Sequence, residues 1–347
     1  MNDMTIPPLL PDAESVDYDP FATPEVLKVV PTTEAQREIW LADRISPDAS
    51  LAYNESVSLV FDGELDVGSL ARALQGLTER HEALRSNIGP EGTELYVAAM
   101  ADLALDHVNL SGLAPAEADA RVQALRAEAV ERHFDLGAGM LFRATLVELG
   151  PQRHELILSA HHIVCDGWSF GILASELMQL YRALQNDAAD PLAMLKPTLG
   201  FGDYARAQSQ PQALRQQAAD EQYWVAKYDK SVPTIDLPTD RVRAALRTFG
   251  SRHAVVTYDA ARLERLRRFG SANGATLFAT LLGVFAGMVG RLGGHDDVAI
   301  GIPVAGQLAD GHDSLVGHCV ELLPIPVDVA MDKVARLLVQ APGTAAL

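Results

Sequence analysis

Two adjacent histidines, a cysteine and an aspartate crowd the stretch Ala160-His161-His162-Ile163-Val164-Cys165-Asp166-Gly167-Trp168-Ser169. An imidazole can hold or move a proton near neutral pH, a buried carboxylate can fix a backbone turn, and a glycine N–H can meet a developing oxyanion. Residue types alone leave architecture as a competing reading. An isolated histidine at a strand end is more commonly structural, and Asp166 stands where it could simply cap a following helix. The two histidines and Cys165 could also hold zinc, but no second closely spaced Cys/His pair accompanies them, so no metal is expected.

The elements that must position these groups are legible on either side. Glu155-Leu156-Ile157-Leu158-Ser159-Ala160, an apolar run after the turn-like Gly150-Pro151-Gln152-Arg153, predicts a short buried strand. Leu173, Leu177, Leu180 or Tyr181, and Leu184 recur at helical spacing, so a helix is expected from near Ser169. The ten residues therefore lie on a strand-to-helix connection, where side chains and backbone N–H groups can converge. Strand alternation puts His162 with Leu156, Leu158 and Ala160, and His161 with Ile157 and Ser159. Hence the two rings cannot share one job, although parity does not say which of them faces a cavity.

Residues 1–30, rich in Pro, Asp and Glu without a sustained period, read as a mobile leader or linker. From Pro31, Thr32 or Thr33 can cap a helix carrying Ala35, Ile39 and Trp40; Ser56 to Phe61 alternates as a strand; Asp66 caps a helix through Leu70, Ala73, Leu74 and Leu77. Arg80, His81, Glu82 and Arg85 form a charged run that, by itself, reads as a solvated face. Ala116 to Phe134 is an expected helix, and Leu141 to Val147 a strand in which Arg143 is a cation needing a partner. The loop Asn186–Pro191 marks a boundary between a lobe at 31–187 and another at 188–347. The second lobe offers Phe201 to Gln208, a helix from Pro211 to Tyr228 and an extended Val232 to Asp240. A strand from His253 to Tyr258, a helix from Ala260 to Phe269 and a buried apolar helix around Ala275 to Val289 follow, then strands at Val298–Val304 and Val320–Val327. The outcome is an α/β chain with a mixed sheet in each lobe.

Bulk properties exclude several roles. With 48% apolar and 21% charged residues, 347 residues suffice for two globular cores. A net charge of −18 without a local basic patch argues against nucleic acid or anionic membrane as a partner. Cys165 and Cys319 give no disulfide framework, and the N-terminus has no basic flank followed by an apolar run, so a cytoplasmic home is expected.

His161-His162-Ile163-Val164-Cys165-Asp166-Gly167 resembles the His-His-x-x-x-Asp-Gly signature of nonribosomal peptide synthetase condensation domains, within the chloramphenicol-acetyltransferase-like acyltransferases. Thr33 to Trp40 looks like that family's opening motif and Arg80 to Arg85 its second. Phe201-Gly202-Asp203-Tyr204-Ala205 is similar to the fourth, and Val316 to Pro324 to the fifth. Five motifs in family order are far more specific than one short match. Glu321 departs from the pattern, standing where the family usually carries Asn, and the chain ends at Leu347 ahead of the family's last motifs.

The resemblance implies an α+β sandwich of two chloramphenicol-acetyltransferase-like lobes in a V-shaped arrangement, the second incomplete. It implies that His162 and Gly167 are catalytic and that His161, Asp166 and Arg143 are structural, with an Arg143–Asp166 salt bridge. Trp168, Ser169, Glu321 and Arg85 would lie along the substrate passage, and the charged run at Arg80 would be scaffold near it. The chain itself would bind no cofactor. Phosphopantetheine arms would arrive on peptidyl or acyl carrier domains, beside adenylation or polyketide synthase modules. An epimerisation domain, a free-standing acyltransferase or a non-catalytic docking module, the last suggested by Glu321 and the early end, would be the other readings.

Overall fold

The structure, a computed structural model, describes residues 25–229, 232–242, 248–252, 254–309 and 311–329. In chain order its main elements are β1 (Val26–Pro31), α1 (Glu34–Ile45), β2 (Asn54–Asp62), α2 (Val67–Arg80), β3 (Ser86–Ile88), β4 (Glu94–Ala98) and β5 (Leu105–Asn109). There follow α3 (Pro115–Glu131), β6 (Phe142–Gly150), β7 (Arg153–His161), α4 (Gly167–Gln185), α5 (Phe201–Gln208) and α6 (Pro211–Lys227). The rest comprises α7 (Ala260–Ala272), α8 (Leu277–Gly293), β8 (Asp297–Ala305) and β9 (Val320–Asp328).

Polar caps set the helix starts. Thr33 Oγ1 accepts the Gln36 N–H while Gln36 Oε1 accepts the Thr33 N–H, each at 3.2 Å, a reciprocal box that opens α1. The same Gln36 side chain donates to the Ile163 carbonyl at 2.9 Å, so the start of α1 is tied to the histidine-bearing turn. Asp66 caps α2 through the Gly68 and Ser69 N–H groups, at 3.0 and 3.2 Å.

A mixed sheet in the order β2-β7-β6-β5 carries His161 at the end of a central strand, with β5 parallel to β6 and the other pairs antiparallel. Leu156, Leu158 and Ala160 of β7 face the main core with Leu70, Leu77, Leu173 and Leu177. Ile157 faces Val122 and Leu125 of α3 on the other side. Coverage on both faces explains the near-continuous apolar run at 155–160, since neither face needs to be polar. Glu155, buried there, is held by Arg126 at 2.7 and 2.8 Å.

Several expectations are corrected. The mobile leader expected over residues 1–30 is contradicted in its last part: Val26–Pro31 is a strand that pairs antiparallel with β4 in a second sheet, β1-β4-β3, and buries Val30. Its short β-branched run was hidden behind the acidic, Pro-rich composition upstream; residues 1–24 lie outside the described residues. Residues 254–259 form no strand, because no described strand lies alongside to complete their hydrogen bonds, and His253 is outside the description. The helix expected around Ala275 to Val289 is present as α8 but buries only one face: Ala286 and Val289 pack with Val298 and Val329, while Phe278, Val284 and Met288 are exposed. Finally, Phe201, Tyr204 and Ala205 of α5 pack in the main core although they follow the boundary expected at 187/188. Among the described residues no single helix is long and apolar enough to cross a membrane.

Candidate active site

The two histidines take different environments, His161 on the last position of the strand and His162 in the turn beyond it. His161 ends β7 with its side chain wholly buried, its ring against Tyr53 and edge-on to Phe134. His162 follows the strand, with 22% of its side chain exposed and its N–H donated to the Tyr53 carbonyl at 2.8 Å. Its Nδ1 lies 3.0 Å from the Cys165 carbonyl, which can only accept, so Nδ1 carries hydrogen and Nε2 is the nitrogen that can gain or lose a proton. Nε2 is 3.4 Å from Glu55 Oε1, and the ring meets His318 edge-on at 4.7 Å between centroids.

Asp166 is structural, but through other partners than expected. Its Oδ1 accepts the Ser169 N–H at 2.8 Å, capping α4, and the Ser169 hydroxyl at 2.7 Å; its Oδ2 accepts the Cys319 N–H at 3.1 Å. Ser169 Oγ also receives the Gly317 N–H at 3.1 Å. One buried carboxylate thus clamps residues 317–319 across the turn and holds the His318 ring against His162. The expected Arg143–Asp166 salt bridge is not formed. Arg143 instead donates to the carbonyls of Arg132 and His133 and lies over the Phe134 ring, 3.6 Å from its centroid. Burial, aided by neighbouring Arg132, brings its guanidinium down to about 10. Carbonyls and an aromatic face satisfy this cation where a sequence reading sought a carboxylate.

Gly317 lets the clamped segment pass close to α5. A Cβ there would overlap Cδ2 and Cε2 of the buried Phe201 ring. Gly317→Ala is therefore expected to lower stability by about 1–3 kcal/mol through overpacking, read as a lower urea midpoint.

The other expected passage residues divide. Trp168 lines a cavity of about 430 Å³ between the start of α4 and residues Leu195, Lys196, Asp313 and Ser314, and its Nε1 donates to the Asp313 carbonyl at 3.3 Å. Gly167 opens onto the same cavity and, as the first residue of α4, has an N–H with no intrahelical acceptor. Glu321 lines a separate pocket of about 40 Å³ together with Thr33, Tyr204, His318 and Cys319. Ser169 is not a lining residue: it is fully buried between Asp166 and Gly317. Arg85 lines neither space, its guanidinium being bonded to the carbonyls of Ala98 and Thr78 at 2.9 and 3.3 Å. The charged run at Arg80 is a buried network, not a solvated face. Arg80 and His81 both engage Glu176 of α4, at 2.9 and 2.7 Å, and Glu82 bonds Lys28 and the Gly202 N–H. Glu55 and His318 were missed as site residues; His318 lay inside a recognised motif, but nothing in the spacing pointed from Glu55 to His162.

Burial governs the protonation of the surrounding groups. It takes the His161 ring down to about 4 and the His318 ring to about 3, in each case with His162 adding to the effect. It pushes the Cys165 thiol well up, reinforced by Asp166 and Glu55, so this sulfur stays a neutral thiol. His161 and His318 are thus neutral in the fold and free to protonate near 6.5 once unfolded. Below that value the unfolded chain binds more protons than the native one, so stability falls as pH drops from 6.5 toward 4. The expected slope approaches about 1.4 kcal/mol per pH unit for each ring. Urea midpoints across this range would check it; a flat profile would contradict neutral burial. Among the described residues no group of three or more His, Cys, Asp or Glu is arranged to hold a metal ion.

The turn carries the sequence His-His-x-x-x-Asp-Gly, with His162 partly exposed and Asp166 buried and capping the following helix. Residues 26–344 match the condensation-domain family, and the chain belongs to it. It is 34% identical over 328 residues to a linear gramicidin synthase polypeptide of Brevibacillus parabrevis, covering 93% of this chain and 4% of that one. It is 29% identical over 340 residues to surfactin synthase subunit 1 of Bacillus subtilis (strain 168), covering 96% of this chain and 9% of that one. The chain therefore spans a small part of these curated relatives. Among solved structures, the first condensation domain of the CDA synthetase superposes with a TM-score of 0.73 at 24% identity, covering 90% of this chain and 74% of that one. A starter condensation domain of rhizomide synthetase gives a TM-score of 0.75 at 22% identity, with coverage of 90% and 70%. Both show the mixed α/β fold of condensation domains.

Proposed function

We propose that this chain forms an amide bond between two substrates held as thioesters on the phosphopantetheine arms of a donor and an acceptor carrier domain. The supporting observation is His162: part exposed, its Nδ1 fixed by the Cys165 carbonyl and its Nε2 left as the working nitrogen. The acceptor amine attacks the donor carbonyl, a C–N bond forms, the C–S bond breaks, and the nitrogen's proton passes through Nε2 to the departing thiolate. His162 holds and deprotonates the amine; the Gly167 N–H, at the mouth of α4, meets the oxyanion.

A thioester is already activated, so alignment supplies the larger share of the barrier reduction. Held geometry can contribute roughly 7–11 kcal/mol, against about 3–5 kcal/mol for a positioned base. In this reading the two lobes form a V with a passage between them. Trp168 lies on one approach and Glu321, bringing a carboxylate to the place where relatives usually carry Asn, on the other. Carrier domains of neighbouring adenylation or polyketide synthase modules are the partners. The chain retains no cofactor of its own, the arms belonging to the carriers.

Incubation with one donor-loaded and one acceptor-loaded carrier, followed by intact mass, tests this. The acceptor carrier should gain the donor acyl mass. Epimerisation would leave mass unchanged, transfer to a small nucleophile would not need the second carrier, and a docking platform would bind both without product.

A further inference from the structure

Glu55 is the second residue of β2, opposite Ala160 in register and so beside the histidine turn. Its Oε1 stands 3.4 Å from His162 Nε2. With hydrogen fixed on Nδ1 by the Cys165 carbonyl, a neutral ring would aim its Nε2 lone pair at a carboxylate, acceptor against acceptor. The conflict is relieved when the pair takes up one proton, which is the proton the attacking amine releases.

The neighbours leave this task to Glu55. His318, from the segment before β9, and His161, at the end of β7, are held neutral by burial, and Cys165 is a neutral thiol. Asp166 spends its oxygens on Ser169 and Cys319. Among the described residues Glu55 is the carboxylate in contact with the ring. We infer that Glu55 is the positioning residue for His162, holding the Nε2 edge of the ring and sharing the proton that this nitrogen takes up.

The inference rests on the amide-forming reading and adds a residue to it. As the C–N bond forms, the amine's proton moves to Nε2 and is held between Nε2 and the Glu55 carboxylate; it leaves to the thiolate sulfur as the C–S bond breaks. Partial burial raises the Glu55 carboxyl, with His162 opposing and Asp166 reinforcing, so this group takes up a proton more readily than a solvated carboxylate. At 3.4 Å the contact is longer than a charge-assisted bond of about 2.7–2.9 Å.

Glu55→Gln keeps the shape and removes the charge. Two readouts on the full chain test it: ¹⁵N spectra of histidine-labelled protein, with His162 assigned through His162→Gln, and single-turnover transfer between loaded carriers over pH 6 to 8. The Nε2 resonance of His162 should move while Nδ1 stays. The rate should fall about tenfold with an altered pH profile, and Glu55→Asp should recover part of it. An unmoved Nε2 resonance, or a parental rate with the parental pH profile, would overturn the assignment. A parent that makes no product would end the amide-forming reading, and the resonance would still decide the Glu55 contact.

Discussion

His162→Ala should slow amide formation between loaded carriers by about 10²–10⁴-fold, equivalent to roughly 3–5 kcal/mol of barrier, while leaving the melting temperature near the parent's. The two halves of that expectation have separate causes. Rate falls because Nε2 is the nitrogen that can accept a proton once the Cys165 carbonyl has fixed Nδ1. Stability holds because the ring is partly exposed and the backbone bond from the His162 N–H to the Tyr53 carbonyl survives the change. Some transfer should persist, since alignment of two thioesters does not depend on the imidazole. Rapid-quench single turnovers, with a melting curve on the same sample, would show both halves. A variant as fast as the parent would remove His162 from the chemistry.

Asp166→Ala should act in the opposite way, on the fold first. It deletes the acceptor for the Ser169 N–H, the Ser169 hydroxyl and the Cys319 N–H, all buried. An unsatisfied buried donor costs about 1–3 kcal/mol, and the losses are coupled, so destabilisation of about 3–5 kcal/mol is expected. Asp166→Asn keeps the Oδ1 contacts and sets an amide donor against the Cys319 N–H, and should cost less. Urea denaturation of the three proteins would order them. A stable but inactive Asp166→Ala protein would contradict the clamp and put the carboxylate in the reaction.

Much of this architecture could be read from residue patterns. The apolar run at 155–160, the leucine spacing after Ser169 and the caps Thr33, Asp66 and Asp166 all set local structure by local rules, and the observed elements follow them. Strand parity did not decide the two histidines: His161 ends β7, whereas His162 lies in the turn beyond it, where alternation no longer applies. Long-range partnerships were not legible. Arg143 found carbonyls and a ring instead of Asp166, since a cation's partner depends on which strands pair and which loops cross them. Asp166 reached Cys319, and Glu55 reached His162, across chain separations that carry no periodic signal. Val26–Pro31 was obscured for a related reason: a short edge strand draws its stability from its partner β4 more than from its own composition.

The most direct test is the position of the attacking amine. The chain would be solved in complex with an acceptor carrier whose arm carries an aminoacyl group through a non-hydrolysable amide link. The amine nitrogen should lie within about 2.6–3.2 Å of His162 Nε2, with the Gly167 N–H facing the space where the donor carbonyl arrives. An arm that enters fully yet leaves its amine out of reach of that ring would contradict the account.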